Sequence, residues 1–94
     1  MNAKATNPIR QEIIKQLVPI FEPWVYETVS PEIIDEQINP IADLGLDSIG
    51  ILNVIMEIEK KFNIRIEDNQ LDSSLFSKVG NLVSLIQEKK NENN

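Results

Sequence analysis

The sequence predicts an all-α fold, a small four-helix bundle formed by a single domain of 94 residues. Three segments carry apolar residues at helical spacing, and clusters of Pro, Asn, Gly and Ser separate them. No run of about 18 apolar residues is present, so we expect no membrane span. We expect one domain over residues 1–94, ordered from about residue 8 to about residue 88, with flexible termini.

The first helix is predicted to begin at Pro8, with Asn7 as its N-cap. Its apolar stripe consists of Ile9, Ile13, Ile14, Leu17 and Val18. Because proline lacks a backbone N–H, Pro19 is expected to kink or end this helix near Val18.

The segment 21–26 follows with three of the five aromatic residues of the chain, namely Phe21, Trp24 and Tyr26. We favour the interpretation that Phe21 and Trp24 cover one end of the bundle core. The alternative is an aromatic patch that contacts a partner or shields cargo.

A long loop is predicted between the first helix and the next main helix. Ser30 and Pro31 are typical of a helix start, and Pro40 excludes helical geometry at Asn39. The residues expected to bury here and hold the loop against the bundle are Ile33, Ile34, Ile38 and Ile41.

The segment Asp43-Leu44-Gly45-Leu46-Asp47-Ser48 predicts a turn that leads into the main helix. Its two leucines are apolar anchors, and Gly45 permits a positive φ. Asp47 and Ser48 are residue types favoured at a helix start. Ser48 is therefore expected to be exposed at the positive end of the helix dipole, where a phosphate would be favoured.

The helix from Ser48 to Phe62 carries two apolar stripes. The stripe predicted to face the core consists of Ile51, Val54, Ile55, Ile58 and Phe62. The second consists of Ile49, Leu52 and Met56, on a face about 130° away. The spacing alone leaves open whether this second stripe is exposed or the helix is buried on both sides.

The remaining segments predict a C-cap, an extended link and two helices. Asn63 is a plausible C-cap, and Ile64 and Ile66 alternate with polar residues in a short link. A short third helix is predicted within residues 68–76, where the residues expected to be buried are Leu71, Leu75 and Phe76. Ser77 is expected to cap the last helix, whose stripe consists of Val79, Leu82, Val83 and Ile86.

Composition narrows the possible functions. The chain has no cysteine and no histidine, which excludes disulfides and thiolate chemistry and disfavours catalytic and metal sites. The net charge is −6, which argues against nucleic acid and anionic membranes as partners. Residues 30–72 carry ten acidic and three basic side chains, so a basic partner surface is expected, unless the acidic surface serves solubility alone. The N-terminal residues lack a secretory signal, and we expect a cytoplasmic protein.

The motif around Ser48 resembles the phosphopantetheine attachment site of acyl carrier proteins, which read Asp-Leu-Gly-x-Asp-Ser before an amphipathic helix. The segments Phe62–Ile66 and Val79-Gly80 also resemble this family, and the likeness covers roughly residues 30–87. It implies a bundle with a long loop after the first helix and a short third helix. It also implies 4′-phosphopantetheine, taken from coenzyme A and joined to Ser48, with Asp47 orienting the transfer.

The same resemblance implies a carrier with no catalytic residues and no metal. The Met start and the polar tail predict a free-standing carrier, expected to be a monomer, and the alternative is a domain excised from a larger synthase. The partners of the carrier would be a phosphopantetheinyl transferase, an acyl- or aminoacyl-loading ligase, and downstream synthase or transferase enzymes. The residues implied to contact partners are Leu46, Ile49, Leu52 and Met56. Asp43 is expected to stabilise the loop.

Several residues depart from the fatty-acid carriers of the family. Those carriers have acidic residues where this chain has Gly50 and Asn53, and segment 21–26 resembles an insertion. These departures predict a dedicated pathway, for a secondary metabolite or a specialised lipid. The alternatives are an aminoacyl or peptidyl carrier and a helical interaction module that is never modified. An enzyme that uses Asp43 and Asp47 as acid and base is a weaker hypothesis.

Overall fold

The computed structural model describes residues 8–26 and 34–92. Within these ranges the chain forms four α-helices and no β-strand, which confirms the all-α prediction. The helices are α1 (Pro8–Phe21), α2 (Pro40–Leu44), α3 (Ser48–Phe62) and α4 (Val79–Glu92). Short 3₁₀ helices span Glu22–Trp24 and Asp68–Gln70. The predictions for Asn7, Ser30, Pro31 and Ile33 lie outside the described residues.

The core lies between α1, α3 and α4. Its most completely buried side chains are Ile14, Leu17, Phe21, Leu46, Val54, Ile58, Val79, Leu82, Val83 and Ile86. The predicted core stripe of α3 is confirmed, with Ile51 half-buried at its edge. None of the helices in the described ranges is long and apolar enough to cross a membrane.

Helix α1 does not end where the sequence predicted. Of the two possibilities expected near Val18, a kink or an end, the end is wrong, because the helix continues through Pro19 to Phe21. A proline in the last turn costs the helix about 3 kcal/mol. Burial of Ile20 and Phe21 in the core offsets this cost, since each such side chain contributes about 1.5–3 kcal/mol.

The short helix α2 was not predicted, although its capping signal is local. Asn39 is non-helical, as expected, and its side-chain oxygen accepts the N–H groups of Ile41 and Ala42, both at 2.9 Å. Because Ile41 then lies on the outer face of α2, it is 44% exposed and its predicted anchoring role is wrong. Ile34 and Ile38 hold the loop instead, the first buried and the second packed against the core.

The loop before α2 is fixed to the start of α4. The backbone N–H groups of Val79 and Gly80 donate to the carbonyl oxygens of Ile38 and Glu36, at 2.8 and 2.9 Å. Arg10 of α1 donates to both carboxylate oxygens of Glu36, at 2.7 and 2.8 Å. These bonds hold the pKa of Glu36 below its usual range and raise that of Arg10.

Arg10 also joins this loop to α4. Its guanidinium donates to the Gly80 carbonyl oxygen and the Ser84 hydroxyl, both at 3.1 Å, and to the Gln87 side chain at 3.0 Å. Arg10 and Glu36 are only partly exposed. This cluster ties α1, the loop and α4 together at one point.

The segment between α3 and α4 agrees with the sequence in part. Asn63 ends α3 in the left-handed conformation, at φ 55°, as predicted for a C-cap. The predicted third helix is reduced to the 3₁₀ helix Asp68–Gln70 and the turns after it. Leu75 and Phe76 are buried, but Leu71 is exposed, so its predicted burial is wrong. The Ser77 hydroxyl donates to the Ser74 carbonyl oxygen and does not show the expected capping contact.

Candidate functional site

Ser48 is the first residue of α3, and it is exposed. The N-cap is Asp47, whose carboxylate accepts the Gly50 N–H at 2.9 Å while its carbonyl oxygen accepts the Ile51 N–H at 2.8 Å. Because Asp47 provides the cap, the Ser48 hydroxyl is not needed for it. The side chain therefore faces solvent at the positive end of the helix dipole.

The turn before Ser48 is held from inside by apolar side chains. Gly45 has φ 82°, so the predicted positive φ is confirmed. Its N–H donates to the Ile41 carbonyl oxygen at 3.2 Å, and the Leu46 N–H donates to that of Pro40 at 3.1 Å. Leu44 and Leu46 are both buried.

The burial of Leu46 corrects one predicted partner contact. Its side chain is 2% exposed and belongs to the hydrophobic core. In this arrangement it anchors the turn and is closed to a partner protein, so that prediction is wrong.

Asp43 belongs to the scaffold of the turn. Its carboxylate accepts the backbone N–H of Asn39 at 2.9 Å, which links the N-cap residue of α2 to a side chain within the helix. Asp43 and Asp47 each serve a different helix cap, which is a structural use of both side chains. In the described part of the chain, no group of three or more potential metal ligands occurs.

The second stripe of α3 is exposed. Ile49, Leu52 and Met56 are 66%, 63% and 59% exposed, so the helix is not buried on both sides. The sequence from Ser48 to Met56 contains no charged residue. The first half of α3 thus presents an uncharged, largely apolar surface next to the Ser48 hydroxyl.

Gly50 is buried under this surface for a steric reason. A Cβ atom there would lie 2.7 Å from the Leu46 Cδ1 and 3.1 Å from the Trp24 Cβ. A larger side chain at position 50 would therefore require Leu46 to move and Trp24 to shift by a few tenths of an ångström. Gly50 fits this space without such shifts.

The aromatic segment is divided between core and surface. Phe21 is fully buried and Trp24 packs against the core, which confirms the interpretation that they cover one end of it. Tyr26, in contrast, is 85% exposed. Its N–H donates to the Leu44 carbonyl oxygen at 3.0 Å, and its Cδ2 would lie 2.8 Å from a Cβ on Gly45. No signal in the sequence predicted that Tyr26 adjoins the Ser48 turn.

A shallow apolar cavity of about 260 Å³ lies beside the same helix. The residues that line it are Ile41, Ile51, Ile55, Leu71, Asp72, Ser73 and Phe76. Ile41 and Leu71, which the sequence predicted to be buried, are exposed and form part of this lining. Such a cavity can receive a small apolar group.

Comparisons with known proteins agree with this geometry. Residues 27–86 match the family model described as a phosphopantetheine attachment site. An acyl carrier protein of Wolinella succinogenes is 30% identical over 82 residues, which cover 87% of this chain and 92% of that protein. An acyl carrier protein of Chlamydia muridarum is 38% identical over 63 residues, or 67% of this chain and 79% of that protein. The curamycin polyketide synthase acyl carrier protein of Streptomyces cyaneus is 30% identical over 57 residues, or 61% and 66% of the two chains.

Proposed function

Because the chain belongs to the acyl carrier protein family, we propose that Ser48 is the attachment residue for its prosthetic group. A member of this family is a carrier and not an enzyme, and its prosthetic group is covalently bound 4′-phosphopantetheine. The observation that carries the proposal is the exposed Ser48 hydroxyl at the first residue of α3.

The residues around Ser48 fit a phosphodiester. The first backbone N–H groups of a helix have no partner within it. Asp47 accepts those of Gly50 and Ile51, which leaves the N–H groups of Ser48 and Ile49 at the end of the helix for an anion. The helix dipole favours the same charge.

The attachment step would be carried out by a phosphopantetheinyl transferase. The Ser48 Oγ–P bond forms as the pyrophosphate bond of coenzyme A breaks, the hydroxyl proton passes to a base, and adenosine bisphosphate leaves. Asp47 is the exposed residue directly before Ser48, and its carboxylate would orient this step. The attached group supplies a thiol, which the cysteine-free chain lacks.

Membership of the family also implies contacts with acyl-pathway enzymes. We assign these contacts to Ile49, Leu52 and Met56, because they form an exposed apolar stripe that begins next to Ser48. Large apolar side chains clustered on a surface mark protein interaction sites.

The pathway we propose is a dedicated one, for a secondary metabolite or a specialised lipid. The support is the uncharged first half of α3, where Gly50 stands in place of an acidic residue and packs closely against Leu46 and Trp24. The likeness to a polyketide synthase carrier is consistent with this proposal. An aminoacyl cargo would instead appear as selective loading of the modified protein by an aminoacyl ligase.

Mass spectrometry after incubation with coenzyme A and a broad-specificity transferase tests the attachment site. We expect one phosphopantetheine mass gain in the wild type and none in Ser48→Ala. Ser73→Ala is the matched control, since Ser73 is also an exposed serine and should leave the gain intact. A gain that persists in Ser48→Ala, or no gain in the wild type, would overturn the proposal and favour an unmodified interaction module.

A further inference from the structure

We propose that Tyr26 is part of the surface on which the phosphopantetheinyl transferase docks, as an aromatic contact outside α3. The inference rests on the proposed role of Ser48 as the attachment residue. It concerns segment 21–26, to which membership of the acyl carrier protein family assigns no function.

The position of Tyr26 is set by the backbone of the turn. Its N–H is bonded to the Leu44 carbonyl oxygen at 3.0 Å, and its ring lies over Gly45. The side chain is nevertheless 85% exposed, so this contact covers little of the ring. The backbone of Tyr26 is thus fixed beside the turn, while most of the ring remains open to a partner.

Tyr26 lies within reach of an enzyme that acts on Ser48. Consecutive Cα atoms are 3.80 Å apart, so those of Gly45 and Ser48 are at most about 11 Å apart. A standard protein interface covers about 800 Å² on each partner, a patch of roughly 16 Å radius. A patch of this size centred on the Ser48 hydroxyl extends beyond the distance to Gly45, so the ring over Gly45 is within its reach.

The chemistry of this surface indicates what the transferase presents there. No lysine or arginine occurs from residue 16 to residue 59, and Asp43 and Asp47 are exposed in the same turn. Arginine pairs with carboxylates and also stacks on aromatic rings. We therefore expect a transferase face that carries arginine opposite Tyr26 and the two carboxylates.

Steady-state kinetics of phosphopantetheine transfer test this inference, with the carrier as the varied substrate. Tyr26→Ala should raise KM for the carrier about tenfold with kcat within about twofold of wild type, as expected for loss of an interface aromatic that does not touch the reacting atoms. Tyr26→Phe keeps the ring and should restore most of the affinity.

Ile9→Ala is the matched control. Ile9 is also an exposed apolar residue, but it lies beside Phe62 at the other end of α3, about 21 Å along the helix from Ser48. We expect KM and kcat for transfer to the Ile9→Ala variant to match those of the wild type. Thermal unfolding of each variant, monitored by circular dichroism, verifies that the fold is intact.

The possible outcomes are distinct. An unchanged KM in Tyr26→Ala would overturn the inference and leave the role of Ser48 standing. A fall in kcat with constant KM would also overturn it, because Tyr26 would then only position the turn. If the wild type accepted no phosphopantetheine, the proposed function and this inference would both fail.

Discussion

The N-termini of α3 and α4 both follow irregular segments, yet they use their free backbone groups in opposite ways. At α4, the N–H groups of Val79 and Gly80 are bonded to the carbonyl oxygens of the preceding loop. At α3, a single residue, Asp47, caps the helix, and the adjacent hydroxyl faces solvent. The N–H groups at the start of α4 are bonded within the fold, whereas the start of α3 remains open to an anion.

The side chains around the two helix starts differ in the same way. Near α4, Arg10 and Glu36 turn towards each other and are partly buried. Near α3, leucines face inward and the carboxylates of Asp43 and Asp47 face outward. The comparison separates a charged pair whose two members bond to each other from carboxylates that cap helices and remain exposed to other molecules.

The largest effect on stability is expected from loss of Arg10. Arg10→Ala removes the bonds to Glu36, Gln87, Ser84 and Gly80 and should lower the free energy of unfolding by about 1–2 kcal/mol, allowing for solvent screening. Phosphopantetheine transfer to the folded variant should be unchanged. Urea unfolding measures the first effect, with the exposed Lys15→Ala as control. A loss of transfer in folded Arg10→Ala would contradict the separation of the two helix starts.

A smaller effect is expected at the cap of α3. Asp47→Ala removes the acceptor of the Gly50 N–H and should cost about 1 kcal/mol, again measured by urea unfolding. Asp47→Asn keeps a good capping residue and should retain most of the stability. If the carboxylate orients the transfer, Asp47→Asn should still lower kcat/KM for phosphopantetheine transfer. Equal kcat/KM values for Asp47→Asn and the wild type would show that Asp47 serves only as the cap of α3.

The smallest effect concerns acid stability. Bonds from Arg10 lower the pKa of Glu36 in the folded state. Its contribution to stability is therefore present above the unfolded pKa of about 4.3 and is lost as pH falls through the lower folded value. Glu36→Gln should flatten this part of the stability curve, measured by urea unfolding from pH 6 down to about pH 3. In an Arg10→Ala background the same substitution should change the slope little, and an equal change there would contradict the pairing.

Local signals predicted most of the region around Ser48. The positive φ of Gly45, the C-cap at Asn63 and the two stripes of α3 each depend on neighbouring residues, and the structure shows all three. Helix α2 was missed although Asn39 and Pro40 form a local start signal, because Pro40 was read only as a barrier to helical geometry.

Contacts between segments that are distant in the chain could not be predicted from the sequence. Arg10 and Glu36 are 26 residues apart, and no periodicity links them. The end of α1 was misplaced because burial of Phe21 outweighs the cost of Pro19. The position of Tyr26 over Gly45 depends on the path of the whole chain, which composition and spacing do not encode.

The contact of Gly50 with Trp24 has a consequence for hybrid carriers. Segment 21–26 and the first turn of α3 meet so closely that a Cβ atom at position 50 would lie only 3.1 Å from the Cβ atom of Trp24. A recognition helix transplanted from a carrier with a side chain at position 50 would require Leu46 to repack and Trp24 to shift. Exchanging the two segments together avoids this repacking, so they form one unit for domain engineering although more than twenty residues separate them in the chain.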